Sequence, residues 1–196
     1  MRNAVRKLID PIEMLSADHE SVQTLFERCQ QTEPGLKRKL LASEIFKDLH
    51  IHATLEEEIF YPAVRQHLGQ EGVKFIREAY REHGDIKGLI REMERLDPNK
   101  SGFMERLRTL QDDVVRHAEK EESRIFPQAE TRLPLDELIV AMDKRRIQLT
   151  MTTLPPSAIG MLAFGLIGIG FAFLVGRVCG SRHYISEHVI SKPAEH

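Results

Sequence analysis

The chain has 196 residues, with 28 Lys and Arg against 30 Asp and Glu. That near balance, with 41% hydrophobic and 30% charged residues, is a globular composition and leaves nucleic acid out as a principal partner. Two cysteines 150 positions apart, Cys29 and Cys179, exclude a disulfide framework and a four-thiolate zinc site, whereas nine His stand out.

The chain opens without an apolar stretch behind its first charges, so no cleavable signal peptide is expected. Asp10-Pro11 is a helix start, an N-cap followed by Pro at the first helical position. Ile12, Leu15, His19, Val22, Phe26 and Cys29 then mark one face, up to the break at Glu33-Pro34-Gly35. A second helix is predicted from Leu36 to Tyr61, with Ile45, Leu49, His52, Glu56 and Ile59 in register, and a turn at Gly69 to Gly72. Val73, Ile76, Tyr80, His83, Ile86, Ile90 and Met93 define a third helix, ending before Asp97-Pro98. Phe103, Leu107, Leu110, Val114, His117 and Glu121 define a fourth, ending near Pro127. The spacing of three and four is that of an inward seam, and four long helices with short connections predict an all-α, antiparallel up-down four-helix bundle over residues 10–130. Leu135, Leu138, Ile139, Met142 and Leu149 add a shorter fifth helix, within a 131–156 segment that leads through Pro155-Pro156.

The last part of the chain differs. Ala158 to Gly176 is an apolar run of 19 residues, about 28 Å as a helix, which predicts a transmembrane helix over 157–177 and a short polar tail over 178–196. The expectation is a single-pass membrane protein with a C-terminal anchor and a cytoplasmic bundle. Gly168, Ala172, Gly176 and Gly180 recur every four residues, a stripe suited to homodimer packing within the membrane.

The four seams are interrupted at matching heights. His19, His52, Glu56, His83, His117 and Glu121 stand where apolar residues are expected, between 8 and 14 residues from one end of the bundle. In an antiparallel arrangement they converge on one layer about two turns thick. Burying such groups without partners costs several kcal/mol each, which a metal relieves. Imidazole and carboxylate without thiolate suit iron, with manganese or zinc as alternatives. Six protein ligands suit two ions bridged by two carboxylates, with room for a bridging oxo or hydroxo group and an exogenous ligand. An internal repeat supports two halves: His52 to Tyr61-Pro62 is echoed by His117 to Phe126-Pro127, and Asp18-His19 and Glu82-His83 lie 33 and 34 residues before those His.

The order His, His-x-x-x-Glu, His, His-x-x-x-Glu over residues 10–150 resembles the hemerythrin-like (HHE cation-binding) family. The resemblance implies a non-haem di-iron centre with Glu56 and Glu121 bridging and the four His as terminal ligands. It also implies binding or sensing of O2, with NO, peroxide or iron as other family targets. Oxygen carriers of the family have a fifth His, on the third helix. Ala79 and Lys87 occupy the positions four before and four after His83 here, so one metal has a vacancy. Tyr80, Glu57 or water are the candidates to fill it. Three functions stay open: a membrane-tethered module binding O2 or another small diatomic, a di-iron redox enzyme (ferroxidase, peroxidase or NO-reducing), and an iron-responsive protein recognised by a membrane partner. His50 faces away from the His52 seam, His67 lies at a turn, His183, His188 and His196 lack the i, i+4 spacing of a helical metal clamp, and Cys29 reads as a packed thiol.

Overall fold

The computed structural model describes residues 10–152. The first helix is Pro11–Gln31, capped by Asp10, whose Oδ1 accepts from Ile12 N–H at 2.8 Å and Glu13 N–H at 3.0 Å. The second runs over 36–67, as α-helix Leu36–Leu55, a π-helical turn Glu56–Phe60 and α-helix Tyr61–His67. The third is Gly69–Met93. The fourth repeats the second over 101–132: α-helix Ser101–Lys120, π turn Glu121–Ile125, α-helix Phe126–Arg132. The fifth is Leu135–Thr152. Among the described residues the fold is all-helical, without strands.

Two helix ends differ from expectation. Tyr61 and Pro127 do not terminate the second and fourth helices, which continue for a further turn or more beyond Pro62 and Pro127. The π turns explain the tolerance. Tyr61 N–H bonds Glu56 O, and Phe126 N–H bonds Glu121 O, five residues back. In that register the next donor in line would be the proline, which has no N–H to lose. The carbonyl of Glu57 left over in the second helix accepts instead from Tyr80 Oη at 3.0 Å. The turn between second and third helices is tighter than expected, centred on Gly69, whose φ of +64° favours glycine.

The apolar core forms two clusters, one above and one below the His/Glu layer. Leu15, Leu55, Phe60, Val64, Ala79, Ile125 and Phe126 belong to one; Phe26, Ile45, Ile86, Met93, Phe103 and Leu107 to the other. At the far end, the buried Arg38 donates to Thr32 O (2.9 and 2.5 Å), and Gly35 N–H donates to Asn99 Oδ1 at 2.6 Å. These Arg38 bonds close the first loop on itself, and the Gly35–Asn99 bond links it to the loop before the fourth helix. Cys29 is buried there as expected.

The membrane expectation is corrected. Among the described residues no helix is long and apolar enough to cross a membrane. The fifth helix carries Asp136, Glu137, Asp143, Lys144, Arg145 and Arg146, charges that are costly in hydrocarbon. The 157–177 segment, the Gly168, Ala172, Gly176 and Gly180 stripe, Cys179, His183, His188 and His196 lie outside the described residues, and the anchored localisation drawn from them is not carried forward.

Candidate metal centre

All six inward residues meet in one layer between the two clusters. Their burial is nearly complete, with Glu56 and Glu121 at 0% exposure and His83 at 2%. Two groups have the geometry to hold a metal: His19, His52, Glu56 and Glu121, and Glu56, His83 and His117. Glu56 belongs to both. Glu121 closes the ring, its Oε2 lying 3.5 Å from His19 Nε2 and 3.4 Å from His117 Nε2.

The four imidazoles share one orientation. Each Nε2 points inward: His19 and His52 Nε2 lie 3.2 Å apart, and His83 and His117 Nε2 lie 3.0 Å apart. Each Nδ1 points outward to a carboxylate that neighbours a different inward residue. Asp18, beside His19, takes His52 at 3.3 Å, and Glu82, beside His83, takes His117 at 2.9 Å. Glu57, beside Glu56, takes His83 at 2.8 Å, and Glu122, beside Glu121, takes His19 at 2.8 Å. This cross-wiring lets each Nδ1–H donate outward and turns each Nε2 inward, where its lone pair serves a metal once the proton has left. Two lone pairs 3.0 Å apart repel unless a cation or proton stands between them. The carboxylates leave a matching demand, because the buried Glu56 Oε1 and Glu121 Oε2 have no hydrogen-bond partner. The donor set therefore fits a metal cation.

The titration directions agree with a site of concentrated charge. Burial alone would raise Glu56, but His52 and His83 hold it well below the usual carboxylate range. Burial opposes protonation of His83, but Glu56 and Glu57 outweigh it and raise its pKa to about 9. His52 is raised well above its ordinary value, with burial opposing and Glu56 and Asp18 prevailing. Burial raises Asp18 less than His52 and Arg146 lower it, so it stays ionised.

Tyr61 is the participant that the sequence did not disclose. Its Oη lies 2.8 Å from Glu121 Oε1, 3.3 Å from Glu56 Oε2, 3.3 Å from His83 Nε2 and 3.4 Å from His117 Nε2. Burial, then the charges of Glu121 and Glu56, keep the phenol protonated well above its ordinary value. Neither expected substitute for the fifth His reaches this position. Tyr80 is 43% exposed and bonds a backbone carbonyl, while the Glu57 carboxylate is taken by His83 and Lys87. His50 and His67 are exposed.

Comparison with known proteins agrees with this geometry. The chain is 34% identical over 114 residues to a DNA nickase of Nostoc sp., covering 58% of this chain and 32% of that one. It is 23% identical over 120 residues to an uncharacterized hemerythrin-like protein of Schizosaccharomyces pombe, covering 61% and 59%. The chain thus spans about a third of one curated relative and somewhat over half of the other. Its fold is similar to that of a crystal structure of a hemerythrin HHE cation binding domain-containing protein from Mycobacterium kansasii. The TM-score is 0.63 at 22% identity, covering 74% of this chain and 89% of that one. Residues 10–129 match the hemerythrin HHE cation binding domain as a family. With that match over most of the chain and a buried His/Glu cluster at its centre, the chain belongs to the hemerythrin HHE cation-binding family.

Proposed function

We propose that the centre holds two non-haem iron ions and binds O2, or a related small diatomic such as NO. One observation carries the reading: two facing His pairs share two buried carboxylates, each of which keeps an oxygen without a partner. The donors are imidazole and carboxylate, a set that iron, manganese and zinc all accept. When bound, a ferrous pair supplies the electrons that association with O2 draws on.

The chain's own part is binding, orientation and proton placement. His19 and His52 would hold one ion and His83 and His117 the other, with Glu56 common to both groups and Glu121 also within reach of His117. Asp18, Glu57, Glu82 and Glu122 hold the imidazoles in the tautomer that can coordinate. Phe126 stacks on His19 and Phe60 meets Phe126 edge-on, which keeps water from that end of the layer. Tyr61 stands in the half whose fifth His is missing, and holds a proton against Glu121.

The same hydroxyl favours a second reading, redox turnover, since a buried proton donor beside the centre serves reduction better than reversible carriage. Anaerobic Fe(II) loading of the full chain, followed by O2 titration with iron analysis and absorption spectra, separates the two. Two irons per chain with an adduct lost on deoxygenation support binding or sensing. Two irons oxidised irreversibly, with continued consumption of Fe(II), support the enzyme. One metal or none overturns the two-ion reading.

A further inference from the structure

The fifth helix supplies none of the six inward residues, yet its consecutive arginines reach an exposed carboxylate on the first π turn, Glu58, and one that touches an inward imidazole, Asp18. Arg145 Nε and Nη2 lie 2.6 and 2.9 Å from Glu58, in the π turn that carries Glu56. Arg146 Nη1 and Nη2 lie 2.8 and 2.6 Å from the two oxygens of Asp18, a fork of two parallel bonds. Asp18 Oδ2 is also the acceptor facing His52 Nδ1. A chain of contacts therefore runs from the fifth helix through Arg146 and Asp18 to an inward imidazole.

The other orienting carboxylates are held differently. Lys87, on the third helix, bonds Glu57 at 2.6 and 2.7 Å, and Lys120, on the fourth, bonds Glu82. Both cations belong to the bundle, so the His83/His117 half is held without outside help. In the His19/His52 half, Glu122 has no cation partner among the described residues, and Asp18 takes its cation from the fifth helix. With the fifth helix undocked, Asp18 loses the fork that fixes its plane, and the His52 ring is free to turn. Partners of this kind are worth about 10- to 100-fold in metal affinity.

We propose that Arg146 is a positioning residue for the His19/His52 half, and that through it the docking of the fifth helix and the filling of that half by metal are linked. The inference rests on the metal reading above. Linkage is reciprocal: whatever affinity the docked helix gives the metal, the metal returns as docking. Occupancy of a buried layer thereby becomes legible at the surface.

The test uses the full chain with Fe(II) under anaerobic conditions, and two readouts: amide hydrogen exchange over residues 135–152, and the rate of iron transfer to a chelator. In the wild type, iron slows exchange in the fifth helix. Arg146→Gln removes that iron-dependent protection and releases one of the two irons about 10- to 100-fold faster, leaving the other phase unchanged. Arg146→Lys restores part of both effects, which a merely structural loss would not do selectively. Lys87→Gln speeds release of the other iron and leaves the fifth helix protected. Fifth-helix exchange in the wild type that is the same with and without iron overturns the proposal, and needs no variant to fold. Protection that persists in Arg146→Gln overturns it too. A wild-type chain that retains no iron overturns the metal reading and this proposal together, whereas retained iron without protection overturns this proposal alone.

Discussion

Tyr61 Oη donates to Glu121 Oε1 at 2.8 Å, from the position that Phe126 occupies in the other half of the repeat. The two aromatics each follow a shared carboxylate by five residues, yet only one carries a hydroxyl. Tyr61→Phe is expected to keep the fold and most of the metal, because the ring still fills its place against Phe60 and Tyr80. Without metal it leaves Glu121 Oε1 without its donor, at a cost of about 1–3 kcal/mol. Thermal unfolding of the iron-free pair checks this. An iron-free variant as stable as the wild type would show that the hydroxyl contributes no net bond.

His52→Ala and Glu56→Ala are expected to remove most of the bound metal, since His52 belongs to one group and Glu56 to both. His50→Ala serves as the comparison, being exposed and two residues from His52. Elemental analysis after gel filtration reads the difference. Unchanged metal content in both site variants would sink the assignment.

The iron-free protein should lose stability as pH rises through the His83 range. The folded-state pKa is about 9 against an ordinary value of 6.5. The native state therefore binds the proton more tightly than the unfolded chain. Its contribution is fully present below about pH 6.5 and is lost towards pH 9. Metal and proton compete for the same imidazole, so metal affinity should rise over the same window. Urea midpoints with and without metal, at pH 6 to 9, give both slopes. A metal-free midpoint that climbs across that window contradicts the assignment of the charge. At the acid end, burial opposes ionisation of Glu82 but His117 and Lys120 outweigh it and hold it at about 2, so its contribution is fully present above its ordinary 4.5 and is lost as pH falls from there towards 2.

Two glycines of the third helix should answer alanine in opposite directions. A Cβ on Gly72 would lie 2.9 Å from Val64 O and 2.9 Å from Leu68 Cβ, so the bend after the second helix must shift, costing about 1–3 kcal/mol. A Cβ on Gly84 meets nothing within 4 Å on an exposed helical position, where alanine should stabilise by about 0.5–1 kcal/mol. Chemical denaturation of Gly72→Ala and Gly84→Ala distinguishes the two, and equal midpoints would show that the contact at Gly72 relaxes freely.

The inward six were legible because each breaks an apolar seam at a height the antiparallel arrangement makes common to all four helices. Burial and convergence follow from that spacing alone. The outer carboxylates were not legible, because the partner of each lies on another helix: Glu57 serves His83 and Glu122 serves His19. Tyr61 was hidden by geometry. Five residues after Glu56 is about 140° off its face in an ideal α-helix of 3.6 residues per turn. In the wider π turn the same separation returns close to the carboxylate's own face. The proline that follows reads in sequence as a stop, although here it marks the residue at which the register changes. The fifth helix was predicted from its apolar positions, while nothing in its spacing singled out Arg145 and Arg146, whose partners Glu58 and Asp18 lie on other helices.

The π turns make the five-residue interval between carboxylate and aromatic a ruler built into the backbone. Within it, side-chain identity is negotiable, as the exchange of tyrosine for phenylalanine between the two halves shows. Length is not. Removing one residue between Glu56 and Tyr61, or between Glu121 and Phe126, would return the segment to ordinary α register and turn everything beyond it by about 100°. The proline would then stand where a backbone donor is required. Each half can therefore drift in chemistry while its reading frame stays locked, and the two halves can acquire different tasks without either losing its place in the layer.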